Sequence, residues 1–157
     1  MSNTAPYIIA HNTEQTAEFA ANLARVLRAG DTILLQGDIG AGKSYFARAL
    51  IQSLQDVPED VPSPTFTLVQ TYETRAGEVW HADLYRLSDP DEAEELGLTE
   101  AFETAICLIE WPDRLADLTP GDAATLSFET TEIEDQRKIT LSGGSEALQH
   151  RLFKAIA

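Results

Sequence analysis

The sequence predicts an α/β domain with a mixed central sheet flanked by helices, on three observations. Helical and β-rich patterns alternate through the first half of the chain, and β-rich patterns dominate the second. The apolar run Ile33-Leu34-Leu35 leads into a glycine-rich loop and then an amphipathic stretch. A length of 157 residues, with 43% hydrophobic and 24% charged residues, supports one folded domain over residues 1–157 and excludes disorder of the whole chain.

The elements follow in order. Asn12-Thr13 with Gln15 reads as a capped helix start, Phe19, Leu23, Val26 and Leu27 recur at helical spacing, and Gly30 closes that segment. Asp31 to Gln36 is a buried strand, Gly37 to Gly42 a loop, and Ser44 to Leu54 a helix with Phe46, Leu50, Ile51 and Leu54 on one face. Pro58, Pro62 and Pro64 break the pattern into a loop. Thr65 to Tyr72 and Glu78 to Tyr85 form a hairpin around Arg75-Ala76-Gly77. Asp89-Pro90 opens a helix, with Glu92 placed for a capping box. Ala105 to Glu110 is a second buried strand, Thr125 to Phe128 and Lys138 to Leu141 are further strands, and Ser145 to Ile156 is a closing amphipathic helix. The segments after Pro120 rest on pattern alone.

Charge narrows the function classes. With 11 basic and 26 acidic residues the net charge is −15, which repels nucleic-acid phosphates and anionic headgroups. Seven of the acidic residues, and no basic one, fall between Asp89 and Glu103; they read as a solvated helix face or as a docking surface for a basic partner. The single cysteine, Cys107, excludes an internal disulfide framework and a multi-cysteine zinc site. No charged-then-apolar segment starts at Met1 and no apolar run is long enough to span a bilayer, so a cytoplasmic location without membrane contact is expected.

Gly37-Asp38-Ile39-Gly40-Ala41-Gly42-Lys43-Ser44 fits G-x-x-x-x-G-K-[ST] without a mismatch. Glycines admit positive φ and let backbone N–H groups approach phosphate oxygens, while the following helix aims its positive dipole end at the same anion. Lys43 would reach β- and γ-phosphates, and the Ser44 hydroxyl would complete a Mg²⁺ coordination sphere. Four such fixed positions match by chance on the order of one per cent of the time in a chain this long, and the flanking strand and helix make accident rarer still. Nucleotide binding is the expectation.

A phosphate-loop nucleotidase also needs a carboxylate for the metal and a group that positions the attacking water. Glu110 ends the run Ala105-Ile106-Cys107-Leu108-Ile109, which puts it at the sheet's carboxyl edge, where ligands collect. Asp83 is the second candidate, orienting water or meeting the metal through water. Thr65, after Pro64, sits on a loop able to close over a γ-phosphate. His81 reads as a strand histidine rather than a catalyst, Trp111 as a core or lid residue, and Cys107 as an inert core residue.

Beyond the phosphate loop, the blocks Ser63-Pro64-Thr65-Phe66-Thr67-Leu68-Val69, His81-Ala82-Asp83-Leu84-Tyr85-Arg86-Leu87, Glu95-Leu96-Gly97-Leu98 and Ile109-Glu110-Trp111-Pro112 follow in order. Together they resemble the TsaE (YjeE) family over roughly Asn12 to Pro112. The resemblance implies a small bacterial ATPase needed for threonylcarbamoyl modification of the adenosine beside the tRNA anticodon, working with TsaD and TsaB rather than transferring the group itself. It implies ATP held by Lys43 and the loop amides, Mg²⁺ held by Ser44 and Glu110, and nucleotide-sensing segments around Thr65 and Asp83. It also implies adenine contacts, for which Thr13, Thr16 and Arg137 are the nearest matches. Ser44 stands where threonine is usual, which keeps the hydroxyl, and Ile39 where leucine is usual.

Two other classes fit the phosphate loop. A small kinase, for instance one resembling shikimate kinase, would need an arginine cluster for an anionic acceptor, and the basic residues here are scattered. A nucleotide-gated binding module would use occupancy alone, with incidental hydrolysis. A GTPase is disfavoured, since neither D-x-x-G nor N-K-x-D occurs.

Overall fold

The computed structural model describes residues 5–156. In chain order its strands are β1 (Tyr7–Ala10), β2 (Thr32–Gln36), β3 (Val69–Thr74), β4 (Gly77–Asp83), β5 (Ile106–Glu110), β6 (Ala124–Thr130) and β7 (Arg137–Gly143). Its helices are α1 (Thr13–Ala24), α2 (Lys43–Leu54), α3 (Pro90–Glu95), α4 (Leu98–Thr104) and α5 (Glu146–Ile156), with a 3₁₀ stretch over Pro112–Leu118. The strands form one sheet in the order β1-β7-β6-β2-β5-β4-β3. The central strands β6, β2, β5 and β4 are parallel, and β1, β7 and β3 join antiparallel at the two edges. The expected mixed sheet is therefore present.

Helices cover both faces, so Ile33–Leu35 of β2 and Ile106–Ile109 of β5 are continuously apolar rather than alternating. Ile33, Leu35, Ile106 and Leu108 pack with Phe19 and Leu23 of α1, Phe46, Leu50 and Ile51 of α2, and Leu148 and Leu152 of α5. Leu34, Cys107 and Ile109 point to the other face, against Leu98 and Ala101 of α4. Each fully buried side chain of this size contributes roughly 1.5–3 kcal/mol. Because the side-chain period of a strand is two, Glu110 lies on the α2 face with Ile106 and Leu108, and Asp83 and His81 lie there with Val79. That parity aims three polar side chains at the start of α2.

Four local expectations are corrected. Helix α1 starts as read, with the Asn12 side chain accepting from the Gln15 amide (2.8 Å) and the Gln15 side chain accepting from the His11 amide (2.8 Å). It ends at Ala24 rather than near Gly30, because the Val26 amide turns back to the Leu23 carbonyl and the Asp31 carboxylate accepts from the Arg28 amide (2.7 Å). Strand β3 starts at Val69, not Thr65: the Leu68 amide donates to the Pro64 carbonyl, Leu68 takes φ 68°, and residues 65–68 form a turn. The helix opened by Asp89 is two short helices, divided at Gly97, which lets Leu98 and Ala101 bury against the sheet. Finally, β1 was not expected. It is a four-residue edge strand whose existence depends on pairing with β7, and its Tyr7 is half exposed.

Candidate functional site

The registers Leu35↔Glu110 and Asp83↔Glu110 bring the carboxyl ends of β2, β5 and β4 side by side. The glycine-rich loop leaves β2 at that edge and enters α2 with Lys43 as its first residue. At Gly37 (φ +148°) a Cβ would stand 2.7 Å from the Phe128 carbonyl oxygen, so a side chain there would displace β6 backbone. Gly42 precedes α2 with φ +103°, in the left-handed region that glycine adopts without strain. No side chain caps this helix, which leaves its N-terminal amides free for an anion.

Around this edge lies a cleft of about 550 Å³, a size usual for small-molecule sites. Of the residues singled out from sequence, Thr13, Thr16, Ile39, Gly40, Gly42, Lys43, Ser44, Thr65, Asp83, Glu110 and Arg137 line it. Gly37, Asp38 and Ala41 do not; they border a separate groove against β6. Tyr45, Tyr85, Arg86, Trp111 and Asp135 also line the cleft. Tyr85, Arg86 and Trp111 lay in the sequence blocks already noted, whereas Tyr45 and Asp135 carried no signal of their own.

Lys43 is 4% exposed. Its ammonium donates to the Gly37 carbonyl oxygen and sits 3.6 Å from the centroid of the Trp111 ring. Burial lowers its pKa below the ordinary lysine value, opposed by the negative charges of Glu110, Asp83, Asp38 and Asp113. Trp111 reaches that position from φ 57°, ψ 54°, a left-handed conformation that is costly for a bulky residue.

Ser44 Oγ donates to Glu110, 2.9 Å from Oε1 and 3.0 Å from Oε2. His81 Nε2 donates to Glu110 Oε2 at 2.7 Å. Thr65 Oγ1 donates to Asp83 Oδ2 at 3.2 Å, and the Tyr85 amide donates to Oδ1 at 3.1 Å. The turn that displaced the start of β3 is what brings Thr65 to Asp83. Arg137, from the start of β7, spends its donors on the loop's backbone: Nε on the Ala41 carbonyl (2.9 Å) and Nη2 on that of Gly40 (3.3 Å).

Among the described residues, no cluster of three or more His, Cys, Asp and Glu forms a self-sufficient metal site. The Ser44 hydroxyl and Glu110 carboxylate, hard oxygen donors in contact, suit a Mg²⁺ that keeps waters and takes its remaining oxygens from phosphate. Among the described residues, no helix is long and apolar enough to cross a membrane.

A phosphate loop between a central parallel strand and an uncapped helix, with carboxylates on the neighbouring strand ends, puts this α/β domain in the P-loop NTPase class. The family follows from comparison with known proteins. Residues 10–139 match the model of the threonylcarbamoyl adenosine biosynthesis protein TsaE, and the chain belongs to the TsaE family. It is 36% identical over 140 residues to the tRNA threonylcarbamoyladenosine biosynthesis protein TsaE of Rickettsia felis, covering 89% of this chain and 82% of that one. With the protein of the same name from Bacillus subtilis it shares 33% identity over 132 residues, 83% of this chain and 81% of the relative. The crystal structure of Bacillus subtilis YdiB superposes with a TM-score of 0.79 at 25% identity, covering 99% of this chain and 97% of that chain.

Proposed function

We propose that this chain binds ATP with Mg²⁺ in the cleft at the carboxyl ends of β2, β4 and β5, hydrolyses it, and serves tRNA threonylcarbamoyladenosine biosynthesis. The observation that carries the reading is the contact between Ser44 and Glu110 at the head of α2, beside buried Lys43. The loop amides from Gly37 to Gly42 and the Lys43 ammonium hold the β- and γ-phosphates. Ser44 and Glu110 hold the metal, which when bound neutralises charge on the phosphate oxygens. Asp83, oriented by Thr65 and the Tyr85 amide, accepts a hydrogen bond from the attacking water and aligns it. Thr13, Thr16 and Arg137, which line the same cleft, meet the adenosine.

Membership of the TsaE family supports placing this activity in a cytoplasmic reaction shared with TsaD and TsaB, in which the nucleotide state of this chain acts on its partners. The test is reconstitution of tRNA modification with purified TsaD and TsaB, comparing the parent chain with Glu110→Gln. The expected result is slow Mg²⁺-dependent ATP turnover without any acceptor, stimulated by the partners, and repeated rounds of modification that need this chain. The variant should bind nucleotide yet lose turnover by orders of magnitude. Turnover that requires a small-molecule acceptor would replace this reading with a kinase, and full turnover by Glu110→Gln would move the metal role to Asp83.

A further inference from the structure

His81 has a relation to this site that its place in a strand did not announce. It is 1% exposed, and Nε2 is 2.7 Å from Glu110 Oε2. Its other ring nitrogen, Nδ1, is buried and has no hydrogen-bond partner among the described residues. A histidine kept only for packing would satisfy both nitrogens or give way to an apolar residue, because an orphaned buried polar atom costs stability. Here the cost is borne on one nitrogen while the other is committed to the carboxylate.

The geometry explains what that commitment does. His81 pairs with Leu108 across β4 and β5, so its ring reaches diagonally to Glu110 two residues further along β5. The carboxylate is thus held from the β4 side by an imidazole and from the α2 side by the Ser44 hydroxyl. A carboxylate only accepts hydrogen bonds, so Nε2 carries the hydrogen in this contact. With Oε2 engaged by that donor, the carboxylate cannot rotate freely about its terminal torsion, a broad and soft one otherwise. Oε1, which shares only the Ser44 hydroxyl with Oε2 and receives nothing from His81, is left with open acceptor capacity.

We propose that His81 is a positioning residue, which fixes the Glu110 carboxylate in the rotamer that presents an oxygen beside Ser44 to the divalent cation of a bound nucleotide. This rests on the metal-binding reading of Ser44 and Glu110. Hydrogen-bond partners that orient metal ligands typically matter by 10–100-fold in metal affinity.

The experiment is calorimetric binding of a non-hydrolysable ATP analogue, once in EDTA and once in saturating Mg²⁺, for the parent, His81→Leu and His81→Gln. The ratio of the two dissociation constants measures how strongly the protein couples metal to nucleotide. His81→Leu should lower that ratio about tenfold or more, while affinity in EDTA stays at the parent value. His81→Gln, whose amide can donate to the same oxygen, should restore most of the ratio. A parent-like ratio in His81→Leu overturns the proposal, as does a variant that loses affinity equally with and without Mg²⁺, the signature of a purely structural role. A parent protein whose affinity ignores Mg²⁺ overturns the metal reading of Ser44 and Glu110, and the role of His81 with it.

Discussion

Lys43 shows how a single residue is held ready at a cost. Its charge is buried, and burial pulls its pKa down, against the attraction of Glu110, Asp83, Asp38 and Asp113. The Gly37 carbonyl and the Trp111 ring supply its contacts within the chain. Phosphate oxygens are stronger partners, and one charge-assisted hydrogen bond is worth roughly 1.5–3 kcal/mol. Lys43→Ala is therefore expected to weaken ATP binding about tenfold or more by calorimetry; an unchanged dissociation constant would remove Gly37 to Ser44 from the nucleotide site. Cys107 makes a second residue-scale point. It is fully buried between Thr32 and the α4 side of the sheet, and burial pushes its thiol up to about 12. Between the unfolded value of 9.0 and about 12 the unfolded chain releases this proton while the folded chain keeps it. The thiol's contribution to stability is thus complete below pH 9 and is lost as pH rises through that window. Relative to Cys107→Val, the parent should lose stability with rising pH above 9 in denaturant titrations, and the thiol should resist disulfide reagents at pH 8 until the protein unfolds.

Among elements, α5 is the one whose docking depends most visibly on a single polar contact. Arg151 donates to both Asp31 oxygens, at 2.7 and 3.0 Å, and to the Val26 carbonyl at 2.6 Å. Both side chains are largely buried, and the hydrogen bonds that Arg151 donates to Asp31 hold the Arg151 pKa above its ordinary value. Removing Arg151 leaves the buried Asp31 charge with only the Arg28 amide for a partner, so Arg151→Ala should destabilise the fold by about 3 kcal/mol, read from urea unfolding. Neither Arg151 nor any other residue of α5 lines the cleft, so nucleotide affinity should not change in the folded variant. A loss of affinity at full stability would contradict this separation of scaffold from site. Helices α3 and α4 carry the acidic stretch the other way round: Ala93, Leu98 and Ala101 are buried and the acidic side chains face outward, Glu92 alone being half-buried.

At the scale of the whole molecule, 26 acidic residues face 11 basic ones. Of the basic groups, Lys43 is buried in the cleft, Arg137 is spent on loop carbonyls, and Arg151 is paired with Asp31. Each phosphate contact with a nucleic acid requires a free cationic group that releases counterions. The isolated protein should therefore show no sub-micromolar affinity for tRNA at physiological salt, with or without ATP, in an anisotropy titration. Tight binding by this chain alone would mean that it meets the tRNA directly instead of acting through partners.

The phosphate loop was legible in the sequence because its constraints are local: glycines where the backbone must turn left, then a lysine and a serine in the first turn of a helix. Strands β2 and β5 were legible as continuous apolar runs, since both faces of the sheet's centre are covered. The strand order was not, nor was β1, whose four residues become a strand only by pairing with β7, more than a hundred positions away. The same holds at the site. Nothing in the spacing of Ser44, Thr65, His81, Asp83 and Glu110 says that Thr65 reaches Asp83, or that His81 and Ser44 grip one carboxylate from two sides. The first follows from the turn over residues 65–68, and the grip on Glu110 from the register of β4 on β5 and of β5 on β2. Register is settled by how all the buried side chains pack at once, because a slip of one residue would turn Glu110, Asp83 and His81 away from α2 and their apolar neighbours with them.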